Sequence, residues 1–145
     1  MGKSKKYRYL KEVSKSPQSE TSILNPQVAR ELPIIFGFKN LDLDNKPFDC
    51  STGHGAGMLY IFKTLNLFSK LVRKQIDFDY KNSHLIPYDQ VKKHNLHRLV
   101  ALAPNGKLHQ LGRKQTPERI IGYYDTPSIN LFQVCLLDLN HKLSG

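Results

Sequence analysis

Several features that often reveal a protein's chemistry are absent from this chain of 145 residues. It has no tryptophan, and its two cysteines, Cys50 and Cys135, form no C-x-x-C pair. We expect both to be reduced and to fill small apolar positions, because a disulfide is disfavoured in the cytosol. The longest nearly apolar stretch, residues 32–38, is too short to span a membrane, and the charged N-terminus has no apolar signal-peptide region. These absences predict a cytoplasmic protein with no membrane partner.

Familiar catalytic signatures are also missing. The sequence has no glycine-rich phosphate loop, no G-x-S-x-G, no H-E-x-x-H and no run of paired acids. Asp42, Asp44 and Asp49 lie among turn-forming residues, where turn chemistry explains them better than a metal site does. His94 and His97 are spaced as two ligands on one helical face, but no cysteine or carboxylate completes the set. We therefore expect no metal and no other cofactor.

Acidic residues are nearly absent from residues 92–119, where seven Lys and Arg face the single acid Glu118. Outside this segment and the first 25 residues, nine basic and nine acidic residues cancel. Such clustering indicates a surface that faces an anion, above all the phosphates of a nucleic acid, although a lysine-rich solvated face without a ligand is the alternative. The expected nucleic-acid-binding residues are Lys92, Lys93, His97, Arg98, His109, Arg113 and Lys114.

The first 25 residues differ in composition from the rest of the chain. They hold six basic residues, two glutamates, many serines and little apolar surface, so they cannot bury enough to fold alone. We expect a flexible, disordered basic arm, which either adds non-specific phosphate affinity or has no role. Residues 26–145 are expected to form a single domain.

Hydrophobic periodicity predicts an α+β fold. A strand is expected near residues 34–38, a long helix over 56–76 with its apolar stripe on a sheet, and one or two helical turns near 88–94. Two strands follow at 119–124 and 131–137, joined by a turn through 125–128. The predicted architecture is one long helix packed on a mostly antiparallel sheet of four to five strands, with meander connections on the C-terminal side.

Asn105-Gly106 is typical of a two-residue type I′ hairpin turn. It separates two alternating runs, residues 96–103 and 107–114, which we interpret as the two strands of a hairpin. That register sets Arg98 opposite Arg113, and His97 opposite Lys114. Because like charges directly opposite each other destabilise a hairpin, the pairs indicate an anion held between them, unless the hairpin frays before it reaches them.

The remaining polar residues are His, Arg, Lys and Tyr. These suffice for cleavage of RNA by its own 2′-hydroxyl, in which a base takes the 2′ proton, cations stabilise the phosphorane and an acid protonates the leaving oxygen. No metal is required. Each candidate also has a structural interpretation, since His84 can cap a turn, Arg119 can pair with an acid, and Tyr124 can belong to the core.

The C-terminal sequence ERIIGYYDTPSINLFQVCLLDLNHKLSG, residues 118–145, resembles the ending of a group of small, mostly uncharacterised bacterial proteins. In those proteins an Arg-Ile or Arg-Val pair opens a strand toward a glycine, and after a short turn a hydrophobic strand runs into Asp-Pro-x-His-x-Leu. Residues 36–42, 65–71 and 83–87 resemble the same group, so the likeness covers about 33–143. Leu139 stands where the group often has proline. The resemblance implies that the polar landmarks are His84, Arg119 and His141.

The order of a helix before a curved antiparallel sheet with a basic C-terminal half is similar to that of the RelE/ParE superfamily of toxin–antitoxin modules. This similarity implies a RelE-like, RNA-directed toxin, acting as a metal-independent endoribonuclease (mRNA interferase) with or without the ribosome. His84, Arg119 and His141 would be catalytic, and an acidic antitoxin-like protein would be a partner. The alternatives are a non-catalytic RNA-binding or ribosome-associated protein, and a protein-interaction component of a phage-defence complex.

Overall fold

The structure is a computed structural model that describes residues 31–45, 48, 55–125 and 130–143. The predicted arm, residues 1–25, lies outside them. The strands of the described part are β1 (Ile35–Gly37), β2 (His84–Leu85), β3 (His109–Leu111), β4 (Arg119–Tyr124) and β5 (Leu131–Asp138). The helices are α1 (Gly55–Phe68), α2 (Arg73–Asp79), α3 (Tyr88–Lys93) and α4 (His97–Leu102). No helix in these ranges is long and apolar enough to cross a membrane.

The five strands form one mixed sheet in the order β1-β5-β4-β3-β2. Strands β2 to β5 are antiparallel neighbours in chain order, and β1 pairs in parallel with β5. The predicted α+β class and the mostly antiparallel sheet with C-terminal meander connections are confirmed. Strand β4 begins and ends at the predicted residues, and β5 extends one residue beyond its predicted end.

One hydrophobic core lies between the sheet and helices α1 and α2. Ile61 and Phe68 of α1 and Ile76 of α2 belong to the same buried cluster as Ile120 of β4 and Phe132 of β5. Burial of each such side chain contributes about 1.5–3 kcal/mol to folding. We call this side of the sheet the α1–α2 face.

The opposite side of the sheet, the α3–α4 face, carries a second core. Val91 of α3 and Leu96, just before α4, cluster there with Ile121 and Leu136. Ile120 and Ile121 thus enter different cores, because successive side chains of a strand point to opposite faces. Helices cover both faces of the sheet, whereas the sequence pattern had predicted one helical layer.

The single long helix predicted over residues 56–76 was wrong, since two helices, α1 and α2, occupy that range. The Ser69 hydroxyl donates to the carbonyl of Asn66 at 2.7 Å, at the end of α1. The carbonyl of Leu71 then accepts the N–H of Ile34 at 2.9 Å. This tertiary hydrogen bond replaces a helical one, and the apolar period alone could not reveal it.

Residues 97–102 form helix α4 and not the first strand of a hairpin. Gly106 adopts a φ of 68° and its N–H donates to the carbonyl of Ala103 at 3.0 Å, so Asn105-Gly106 turns the chain from a helix into β3. Apolar residues of this segment recur at helical spacing and pack in the α3–α4 core: Leu96, Leu99, Val100 and Ala103.

The predicted cross-strand pairs of the hairpin were therefore wrong. Strand β3 pairs with β2 and β4 on its two sides, and neither partner contains Arg98 or His97. The two like-charge pairs, Arg98 with Arg113 and His97 with Lys114, do not form. An anion held between them is excluded by this pairing.

Cys135 is a free, buried thiol in β5, as the sequence predicted. Burial raises the pKa of this thiol to about 11, so it stays protonated and unreactive near neutral pH. Cys50 lies outside the described residues.

Candidate nucleic-acid interface

The sheet divides the basic segment, residues 92–119, between its two faces. The helices of the α3–α4 face carry one group of exposed cations and histidine: Lys92, Lys93, His97 and Arg98. Arg113 belongs to the other face, because its Nε donates to Thr64 Oγ1 of α1 at 2.9 Å. The predicted binding residues are therefore not brought together on one surface.

The group on α3 and α4 has the features of a solvated helix surface. Lys92 and Lys93 occupy the last turn of α3, where cations stabilise the helix dipole by about 0.3–1 kcal/mol each. The His97 ring contacts Tyr88 edge-on, with ring centroids 6.2 Å apart. Helix stability explains Lys92 and Lys93 but not Arg98, which lies in the first turn of α4.

On the α1–α2 face, two cations lie over one exposed tyrosine. Lys63 Nζ is 5.5 Å from the ring centroid of Tyr60, and the guanidinium of Arg113 is 5.6 Å from the same ring. The Tyr60 side chain is available to a ligand, since 40% of the residue is exposed. Arg113 Nη2 is buried and has no hydrogen-bond partner, so one donor of the guanidinium is left unsatisfied beside the ring.

The next residue extends this arrangement to a second tyrosine. Lys114 Nζ lies 5.6 Å from the ring centroid of Tyr80, and the Tyr80 ring also contacts Phe68 edge-on, with ring centroids 4.8 Å apart. Because Arg113 and Lys114 are consecutive, they join the two tyrosines into one continuous region. We call this region the tyrosine–cation surface: Tyr60, Lys63, Tyr80, Arg113 and Lys114.

A third tyrosine of the α1–α2 face is also covered by a cation. The guanidinium of Arg73 lies 3.8 Å from the ring centroid of Tyr124, and Arg73 Nε pairs with Asp77 at 3.6 Å. All four cation–ring contacts of the described residues are thus on this face. A chain of this length would have about two such contacts over its whole surface.

His109 of β3 packs against the same tyrosine, with the ring centroids of His109 and Tyr124 5.1 Å apart. Burial, together with the charges of Arg73, Lys107 and His84, lowers the pKa of His109 to about 4. The imidazole is therefore neutral at pH 7. Burial also raises the pKa of Tyr124 above its ordinary value, so its hydroxyl stays protonated. We call this group the His109 cluster: Arg73, Asp77, His84, Lys107, His109 and Tyr124.

Arg119, predicted to be catalytic, is only 5% exposed at the start of β4. Its Nη1 donates to the carbonyl oxygens of Thr116 and Glu118. Burial lowers the pKa of Arg119, while the charges of Asp138 and Glu118 act in the opposite direction. Asp138 is its register partner across the β4–β5 pair. The guanidinium is thus held by protein groups at the end of the sheet.

His141 lies just beyond β5 in the left-handed region, with a φ of 56°. The carboxylate of Asp138 accepts the N–H groups of Lys142 at 2.8 Å and Leu143 at 2.9 Å, and Leu143 is buried in the α3–α4 core. The D-x-x-H-x-L motif therefore forms a turn closed by its aspartate and anchored by its last leucine. This turn brings His141 to the same end of the sheet as Arg119.

His84 is separated from the other two predicted catalytic residues. It lies in the edge strand β2 and its Nδ1 donates to the carbonyl of Leu85 at 2.9 Å. Strand β3 lies between β2 and β4, and the residue of β4 across from His84 is Ile121, two residues from Arg119, so the backbones of His84 and Arg119 are about 12 Å apart. No hydrogen bond or ion pair joins any two of His84, Arg119 and His141 in the described part of the chain.

The sequence analysis did not identify Tyr60, Tyr80 or Arg73 as binding residues. Tyr60 and Lys63 are three apart on α1, a spacing that puts two side chains side by side on a helix, and this was an available signal. The contact between Arg113 and α1 depends on tertiary packing, for which no local signal exists.

Among residues 31–45, 48, 55–125 and 130–143, no three His, Cys, Asp or Glu side chains are grouped as a metal site requires. In comparisons with known proteins, no protein-family model, curated protein or solved structure matches this chain.

Proposed function

We propose that the protein binds RNA through the tyrosine–cation surface of the α1–α2 face. The observation that carries this proposal is that Lys63, Arg113 and Lys114 lie over tyrosine rings. Single-stranded RNA is recognised by aromatic rings that stack on bases and by cations that contact phosphates, and here both groups alternate. A solvated basic helix needs no such rings. The net charge of +10 adds long-range attraction for a polyanion.

Our first candidate for the activity is an RNA-directed toxin of RelE/ParE type, a metal-independent ribonuclease acting in the cytoplasm on free or ribosome-bound message. Histidines supply the proton transfers, and arginines stabilise the phosphorane. His84, Arg119 and His141 remain candidates for these roles. The residues that bury Arg119 must move before it can contact a phosphate, since only 5% of Arg119 is exposed.

The second candidate is a non-catalytic RNA-binding or ribosome-associated protein that uses the same surface. It is favoured by the position of Arg119, whose guanidinium is bonded to two backbone carbonyls. A structural role for Arg119 removes the strongest candidate for transition-state stabilisation without affecting RNA binding.

A protein partner, either an antitoxin-like protein or a component of a phage-defence complex, is supported by a groove between β1 and α1. The groove has a volume of about 840 Å³ and exposes Ile35, Phe38 and Phe62 to solvent. The charged side chain lining it is Lys63, which suits a partner that combines apolar and acidic residues. Lys63 also belongs to the tyrosine–cation surface, so a partner in this groove would compete with RNA.

The proposal is tested by titrating labelled single-stranded RNA with wild type, Tyr60→Leu and the control Tyr88→Leu. Tyr88 is an exposed tyrosine on α3, on the other side of the sheet. We expect Tyr60→Leu to weaken binding about 5- to 100-fold, because one base–ring stack contributes about 1–3 kcal/mol. Tyr88→Leu should change the affinity by less than about twofold. Equal losses in both variants would contradict the proposed surface.

The same samples decide between the two candidate activities. Cleavage of free or ribosome-bound RNA without added metal supports the ribonuclease. Binding without cleavage under both conditions supports the non-catalytic RNA-binding protein.

A further inference from the structure

The His109 cluster contains two buried polar atoms that have no hydrogen-bond partner. One is the hydroxyl of Tyr124, a residue that is only 4% exposed, and the other is Nδ1 of His109. Buried polar groups are nearly always paired in proteins, so each unpaired one needs an explanation. A ligand that accepts and donates hydrogen bonds is one such explanation.

The charges around these atoms indicate which ligand chemistry fits. Arg73 from α2, Lys107 just before β3 and His84 from β2 all act on His109 as positive or protonatable groups. Asp77 from α2 is the acid of the cluster, and it is paired with Arg73 through Nε alone. The other donors of the Arg73 guanidinium are not engaged in an ion pair with Asp77. An anion with several oxygens, such as a phosphate group, matches this set of donors.

We propose that the His109 cluster is a subsite for one phosphodiester group of the RNA backbone, and that phosphate binding protonates His109. The proposal rests on the proposed RNA binding and adds the residues that hold a phosphate. Arg73 supplies the fixed positive charge. In mildly acidic solution, His109 supplies a second charge when the phosphate is present.

The protonation of His109 follows from the negative charge of the bound phosphodiester. Without ligand, burial and the charges of its neighbours keep His109 neutral down to about pH 4. A phosphodiester carries one negative charge throughout the range between that pH and neutrality, and an opposite charge within about 4–6 Å raises a histidine pKa by about one or more. Binding therefore takes up a proton at pH values between the pKa of His109 with phosphate bound and its pKa of about 4 without it, and affinity must increase as the pH is lowered through that range.

Asp77 competes with a phosphate for Arg73 but does not prevent a phosphate from binding. Its carboxylate is about half exposed, and an ion pair of this kind contributes less than about 1 kcal/mol. Burial raises the pKa of Asp77 while the neighbouring Arg73 opposes that rise, so Asp77 gives up its charge more readily than an ordinary aspartate in acid. Loss of this charge would strengthen phosphate binding over part of the same pH range, and Asp77→Asn separates its contribution from that of His109.

The test follows the ring-proton NMR signals of the histidines with pH, in wild-type protein with and without the dinucleotide UpU. We expect the apparent pKa of His109 to rise from about 4 by at least about one when UpU saturates the protein. His97, on α4 on the other side of the sheet, serves as the internal control and should not move. In Asp77→Asn the UpU-linked rise at His109 should persist.

Arg73→Gln provides a second test, which measures the pKa of His109 without ligand and the affinity for UpU. Without ligand its His109 should titrate at a higher pH than in wild type, because a positive neighbour is removed. UpU should then bind about tenfold or more weakly near pH 5.5, since a charge-assisted contact is lost.

A His109 signal that is unmoved while UpU or longer RNA binds overturns the subsite and leaves the RNA-binding proposal standing. Absence of any RNA binding overturns both, and a larger shift with inorganic phosphate than with UpU overturns the assignment to RNA.

Discussion

At the scale of single residues, the histidines of the basic segment differ in what surrounds their rings. His97 is exposed on α4, whereas His94 donates from Nε2 to the carbonyl of Leu143 at 3.2 Å. His109 is packed against Tyr124 and has a pKa of about 4. The sequence presents all three as equivalent members of a basic cluster. Only their burial, which depends on the fold, distinguishes an exposed imidazole from one that is kept neutral.

The low pKa of His109 predicts how stability depends on pH. An ordinary histidine, with a pKa of 6.5, binds a proton in the unfolded chain at pH values where folded His109 does not. The free energy of unfolding is therefore highest above about pH 6.5 and decreases as the pH falls through the window between about 6.5 and about 4. Replacing His109 removes this contribution.

Denaturant unfolding of wild type and His109→Gln at several pH values checks this prediction. The relevant quantity is the slope of the free energy of unfolding against pH between about pH 6.5 and 5, because most carboxylates titrate below about pH 5. We expect a clearly shallower slope in the variant, whatever its absolute stability. His97→Gln, at an exposed position, should retain the wild-type slope. Parallel slopes for wild type and His109→Gln would contradict the burial of the neutral imidazole.

At the scale of elements, Gly122 allows β4 and β5 to pair through an irregularity. The register shifts between Ile121 and Gly122, where Cys135 is the extra residue of β5. A Cβ at Gly122 would collide with the backbone carbonyl oxygen of Gln133 and with the Phe132 ring. A flexible side chain could move away, but backbone in a central strand cannot. This glycine is therefore required by close packing between the two strands.

Gly122→Ala should destabilise the protein by about 3 kcal/mol or more, because it forces central strands apart. Gly55→Ala is the matched control: a Cβ at Gly55, the first residue of α1, meets nothing within 4 Å. Alanine is the better helix former there, so the control should be neutral or more stable by up to about 1 kcal/mol. Thermal or denaturant unfolding measures both. Similar stabilities for the two variants would show that β4 and β5 are not packed as described.

The elements also differ in how well the sequence predicts them. Strands β4 and β5 are buried on both sides. β4 is rich in β-branched and aromatic residues and β5 in leucine, so their apolar runs were sufficient to predict them. In the segment 96–103, apolar and polar residues alternate weakly, but the apolar residues also fit a helical period. Contact with the α3–α4 core favours the helix. Asn105-Gly106 is a turn, but the predicted type I′ was wrong, because Gly106 has a positive φ and Asn105 does not. A turn signal also does not specify whether a strand or a helix precedes it.

At the scale of the whole molecule, the sheet separates charges that are neighbours in sequence. The segment 92–119 supplies helix cations to the α3–α4 face and Arg113 and Lys114 to the α1–α2 face. A residue count over the segment could therefore not identify the binding surface. What distinguishes the α1–α2 face is the alternation of cations with tyrosine rings, and half of that arrangement comes from helices outside the basic segment.

The central claim, that RNA binds on the α1–α2 face, is tested most directly by two double variants with equal loss of charge. Lys63→Gln with Lys114→Gln removes two exposed cations from the tyrosine–cation surface, and Lys92→Gln with Arg98→Gln removes two from α3 and α4. Because both lower the net charge equally, long-range attraction is matched. The measurement is the affinity for labelled single-stranded RNA at about 50 and about 200 mM salt. We predict that the first variant binds about tenfold or more weakly with a shallower salt dependence, while the second stays within about threefold of wild type. Equal losses, or a larger loss in the second variant, would contradict the account.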